Sequence, residues 1–187
     1  MIMTLHDLFF SLFILLGKFL VLLLAKWNLC KFTQQWMRIN SMKDVKSVFR
    51  NLEKMLQKAS WFDDGWEIYN RGNYMQLSKH NWFNQNQGGI HFETFIEGPQ
   101  IKQKSFPICM HVEEDCPSQA EFIDQFMALE EKRIKSWNGY KKLESSYGIC
   151  QRTLPLNFKN LEQRLFEEFN RLRLLEESIN QVLLKIE

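Results

Sequence analysis

Residues 88–115 read GGIHFETFIEGPQIKQKSFPICMHVEED, and the fold turns on this stretch. Side chains along a β-strand alternate between two faces with period two. Ile90, Phe92, Thr94 and Ile96 fall on one face of a first strand, and Phe106, Ile108, Met110 and Val112 on one face of a second. Both sets are almost wholly apolar, so they predict a hairpin with this face buried. His91, Glu93 and Phe95, with Cys109, His111 and Glu113, take the opposite face. A slip of one residue would set core against polar positions, which restricts the register. Two registers keep core opposite core. One pairs His91 with His111; the other pairs His91 with Glu113 and Glu93 with His111.

In either register His91, Glu93, His111 and Glu113 become neighbours, with Cys109 in the same row. Imidazole and carboxylate groups two residues apart on one face suit a divalent transition metal such as zinc, iron or manganese. They also suit general acid–base work. The ordinary expectation is a solvated face on which His and Glu pair across strands, contributing roughly 0.2–1 kcal/mol each.

Working towards the N-terminus, residues 66–80 predict a second hairpin. WEIY and YMQLSKH flank the turn residues Asn70-Arg71-Gly72-Asn73. Pairing Asn70 with Asn73 sets Ile68 opposite Met75 and Trp66 opposite Leu77. Tyr69 and Tyr74 then share the polar side, where bases of a single strand would stack. Residues 41–59 predict a helix. Ser41 and Asp44 resemble a capping box, and Val45, Val48, Phe49, Leu52, Met55 and Leu56 form an apolar stripe. Lys43, Lys46, Arg50, Lys54 and Lys58 form a basic stripe opposite, which is a solvated face or a surface for anionic ligands, either nucleic-acid phosphates or an anionic membrane.

Residues 1–41 differ from the rest. In Leu8–Ala25, fourteen of eighteen residues are Leu, Ile, Val or Phe, enough to span a bilayer despite Lys18. The cations Lys26, Lys31, Arg38, Lys43 and Lys46 all follow it, which predicts a cell-membrane anchor with the domain in the cytoplasm. Asp7 is the sole acid before Met42, a composition that translated upstream DNA also has. Met37 or Met42 would then be the start, of a cytoplasmic protein. Residues 1–60 hold nine Lys/Arg and three Asp/Glu, so the net charge of +2 conceals a basic first third and an acidic remainder.

Beyond the central hairpin, Cys116–Trp137 predicts a helix with a Ser118/Glu121 capping box and Ile123, Phe126, Met127, Ile134 and Trp137 facing inward. Tyr147–Leu154 predicts a fifth strand, closed by Pro155. A single long helix is predicted from Asn160 to Ile186. Leu165, Leu172, Ile179 and Ile186 recur every seven residues there, with Leu161, Leu175 and Val182 between them, suiting a core helix with a coiled-coil seam for a homo-oligomer.

The expected fold class is α+β. An antiparallel sheet of four to five strands carries helices on one face, in a single domain over 42–187 after the hydrophobic segment 1–41. The four cysteines lack CxxC spacing, so no disulfide framework is expected. No phosphate loop, nucleophile elbow or HExxH is present. Function reads first as a non-catalytic interaction module with a protein partner. The alternatives are a metal-dependent hydrolase or nuclease using the His/Glu cluster, and a nucleic-acid-binding domain using the basic helix.

Overall fold

A computed structural model describes residues 26–27, 44–143 and 145–186. The chain divides between Ser41 and Met42, and the fold below belongs to the second unit. The candidate span Leu8–Ala25, the cap residue Ser41 and Lys43 lie outside the described residues. Among those described, no helix is long and apolar enough to cross a membrane.

The second unit is α+β. Six antiparallel strands are ordered β1-β2-β3-β4-β6-β5. They are β1 (Trp66–Asn70), β2 (Tyr74–Lys79), β3 (Ile90–Phe95), β4 (Ser105–Val112), β5 (Tyr140–Lys142) and β6 (Gly148–Pro155). Helix α1 covers 44–57. It is followed by α2 (Gly98–Gln103), α3 (Gln119–Ser136), α4 (Leu161–Leu172) and α5 (Glu176–Ile186). The sheet exceeds the expected four to five strands by β5, whose three residues are too few to show a period.

Alternation places the predicted residues inside. Phe92, Ile90, Ile108, Met110 and Val112 are fully buried, and they share one core with Val45, Phe49 and Leu52 of α1, Phe122 and Phe126 of α3, and Leu165, Phe169 and Ile179 near the C-terminus. The helices therefore pack on the apolar face. The central register is the first of the two expected: His91 lies opposite His111, Phe92 opposite Met110 and Glu93 opposite Cys109. The connection holds a helix the alternation does not show. Pro99 sits in the first turn of α2, and Glu97 with Gln100 makes a reciprocal capping box.

Three expectations are corrected. The β1–β2 hairpin pairs Asn70 with Met75, Ile68 with Leu77 and Trp66 with Lys79, two residues from the predicted register. A shift of two preserves the faces. The wider turn is closed by Arg71 N–H donating to the Tyr74 carbonyl, with Gly72 at φ +84°. The long C-terminal helix is broken by a 3-10 turn, Arg173–Leu175, into α4 and α5. Leu161, Leu165, Leu172, Leu175, Ile179 and Val182 are all fully buried in the chain's own core. These positions of the repeat lie in the chain's own core, the core-helix use the pattern also suits, while Ile186 is only partly buried. The Ser118/Glu121 capping box also fails, since Ser118 takes φ +51° and its side chain makes no cap hydrogen bond.

Candidate metal centre on the polar face of the sheet

The polar face is not solvated. His91 is fully buried, Glu93 is 5% exposed and His111 9%. Two loops close it. The β2–β3 loop brings Asn84 onto His91, where Asn84 Oδ1 lies 3.0 Å from Nδ1. The β5–β6 loop brings the Tyr147 ring to 5.1 Å from the His111 ring, edge to face.

Gly89 permits the first loop. A Cβ there would stand 2.3 Å from the Phe83 carbonyl oxygen, too close for any side chain. Its N–H donates to Asn84 Oδ1 at 3.1 Å. That bond identifies Oδ1 as the acceptor, so His91 Nδ1 must carry its proton towards it. In that tautomer the lone pair of His91 is on Nε2, the nitrogen that faces Glu93. A second bond propagates the assignment. Asn84 Nδ2 donates to Gln76 Oε1 at 3.2 Å, leaving Gln76 Nε2 to donate to His91 Nε2 at 3.0 Å.

Glu93 stands between the two imidazoles. Its Oε2 is 3.4 Å from His91 Nε2, and its Oε1 is 3.3 Å from His111 Nδ1. His111 Nδ1 is buried and makes no hydrogen bond, because the contact with Glu93 is not aligned for one. Tyr74 Oη donates to Glu93 Oε2 at 2.6 Å, and the Cys109 thiol reaches Oε1 at 3.6 Å. One ligand atom from each of His91, Glu93 and His111 lies within 4.8 Å of the other two.

Zinc–nitrogen and zinc–oxygen bonds of about 2.0–2.2 Å in a tetrahedron set ligand atoms about 3.3–3.6 Å apart. Two nitrogen–oxygen separations fall in that range, 3.4 Å from His91 Nε2 to Glu93 Oε2 and 3.3 Å from His111 Nδ1 to Glu93 Oε1, one to each oxygen of the carboxylate. The outer groups fit as well. A metal-ligating His donates its other N–H to an oxygen, as His91 does to Asn84, and a ligating carboxylate accepts a hydrogen bond, as Glu93 does from Tyr74. Ligation at His91 would displace the Gln76 amide from Nε2. That amide keeps its bonds to Tyr74 Oη and the Gln87 carbonyl.

The charge states agree with this use. Burial pushes His111 below its ordinary value, against the pull of Glu93, so its imidazole is neutral and able to ligate. Burial opposes ionisation of Glu93, but His91, His111 and the Tyr74 hydroxyl outweigh it and hold the carboxyl down at about 2. Burial and the neighbouring carboxylate push Tyr74 far above its usual range, which keeps it a donor.

Glu113, the fourth predicted residue, stands apart. Its carboxyl is 3.8 Å from His111 Nδ1 and a third of its side chain is exposed. It lines a polar groove of about 610 Å³ together with Arg71, Asn73, Tyr74, Asn86, Gln87 and Glu97. Of the basic stripe, Lys46, Arg50, Lys54 and Lys58 are exposed. They lie on α1, outside the cluster. Sequence reasoning missed Asn84 and Gln76. Asn84 comes from a loop with no periodicity, and Gln76 was assigned to the polar face with no role. Comparison with family models, curated proteins and solved structures finds no match.

Proposed function

We propose that the protein binds a divalent transition metal through His91, Glu93 and His111, and that the centre serves a metal-dependent hydrolase. The observation that carries the reading is the convergence of the three side chains, with one Glu93 oxygen 3.4 Å from His91 Nε2, the other 3.3 Å from His111 Nδ1, and His111 Nδ1 buried and otherwise without a hydrogen bond. Two imidazoles and one carboxylate suit zinc, iron or manganese above magnesium or calcium. Three protein ligands leave a position for water, the arrangement of hydrolytic rather than structural centres. Glu113 is the nearest proton acceptor outside the set, and burial raises its carboxyl above the ordinary value, towards that of a working base.

The test is elemental analysis of the purified full chain, made without added metal. Close to one equivalent of zinc, iron or manganese is expected in the wild type, with loss in His91→Ala and in His111→Ala. A ligand at one hundred times its Kd stabilises by about 2.7 kcal/mol, so chelator should lower the wild-type Tm by several degrees and leave His111→Ala unchanged. A metal-free wild type whose Tm ignores both zinc and chelator would return the chain to the plainer reading of a non-catalytic binding module.

A further inference from the structure

The groove beside the metal centre does not end at its own rim. Arg71, on the β1–β2 turn, lines it and lies with its guanidinium 6.0 Å from the Tyr69 ring centroid. The next residue, Gly72, is packed by the stem of Lys46, whose Cγ would meet a Cβ there at 3.2 Å. Asn70 locks the two elements together, donating through Nδ2 to the Phe49 carbonyl at 3.3 Å and to Glu53 at 2.7 Å. Lys46 opens the exposed row Lys46, Arg50, Lys54 and Lys58 on α1. Among the described residues, none of these four nor Arg71 is in an ion pair; the paired cations are Lys79, Lys135 and the arginines 133, 152, 171 and 173. Cations four residues apart on a helix repeat about every 6 Å along its axis, close to the spacing of phosphates on an extended nucleotide strand. At the groove end Tyr69 and Tyr74 stand edge to face, 6.3 Å apart. Tyr74 is also the residue that donates to Glu93.

We propose that this continuous row, from Lys54 through Arg50, Lys46 and Arg71 into the polar groove, is the seat of a single-stranded nucleic acid. The proposal deepens the metal reading by naming the substrate class of that centre. The phosphates follow the cations, and the bases meet the Tyr69 and Tyr74 rings. Glu97 and Glu113 in the groove oppose phosphate at its deep end. Asn73 engages Glu97 at 3.3 Å, and a divalent ion at the triad would offset Glu113, so metal should tighten the complex.

The experiment is fluorescence anisotropy of a labelled twelve-residue oligouridylate or oligothymidylate with the full chain across a salt series. Lys46→Glu with Arg50→Glu and Lys54→Glu, and separately Arg71→Glu, should each weaken binding at least tenfold with unchanged circular dichroism. The triple variant should also flatten the slope of log K against log salt by about 2, three cations at roughly 0.7 each. Zinc should tighten strand binding by the wild type and should not tighten it in His111→Ala. Strand binding that both charge variants weaken, with no metal effect, removes the metal reading and leaves the strand seat standing. Absent binding, binding that neither charge variant weakens, or tighter binding to phosphatidylserine vesicles or duplex than to the strand, overturns the seat whatever the metal analysis gives.

Discussion

Phe92 stands in the middle of the buried face, fully enclosed and edge to face with Trp82 at 5.4 Å. Phe92→Ala should cost about 3–5 kcal/mol, read from the urea midpoint, because the surrounding sheet and helices relax only partly into the cavity. Gly89→Ala is a different kind of lesion. The loop must retreat from the Phe83 carbonyl, and Asn84 retreats with it, so the variant should lose metal affinity as well as stability. Burial pushes the Cys150 thiol up to about 12 and Cys116 to about 11. Below the ordinary thiol value of 9.0 neither contributes to stability. Above it the unfolded thiols ionise while the folded ones do not, so stability falls as pH rises. Peptide mapping after iodoacetamide at pH 9 should find both sites nearly unmodified until denaturant is added. The pairing of His91 with His111 was legible because alternation admits few registers. The burial of that pair was not, because its cover comes from Asn84 and Tyr147, loop residues that no period places.

Helices α4 and α5 show how an element can be read rightly in its face and wrongly in its continuity. Leu161, Leu165, Leu172, Ile179 and Val182 are all fully buried in the chain's own core, on two helices that the 3-10 turn at Arg173–Leu175 separates. Charged residues lie between them. One is buried: Glu168 accepts from Tyr140 Oη at 2.9 Å, from Arg171 Nη1 at 2.7 Å and from Arg152 on β6. This carboxylate ties β5 and β6 to α4 through side chains 16 and 28 residues away, a pairing no local pattern can display. Glu168→Ala should cost about 1–3 kcal/mol, since Tyr140 loses its acceptor while both arginines keep access to water. Reversing the exposed Lys46, Arg50 and Lys54 on α1 should by contrast move the urea midpoint by less than about 0.5 kcal/mol.

Over the whole second unit, a single core lies on one side of the sheet and a loop-closed polar patch on the other. A chain of residues 42–187 should therefore unfold in one cooperative transition, with circular dichroism and tryptophan fluorescence giving the same Tm. Fold class was legible at this scale because apolar alternation and helical stripes are global patterns. The groove was not, since it joins a turn, a short helix and a loop from distant parts of the chain. The strand order has a further consequence, for the protein's tendency to polymerise. A six-stranded open sheet ends in two rows of unsatisfied backbone groups, the template on which fibrils grow. Here one terminal strand is β5, cut to three residues with Lys141 and Lys142 exposed. The other is β1, five residues with Glu67 exposed. Brevity and charge make both ends poor templates. Changing Lys141 and Lys142 together to Val would leave the core untouched, yet should turn a clear solution turbid and thioflavin-positive on refolding.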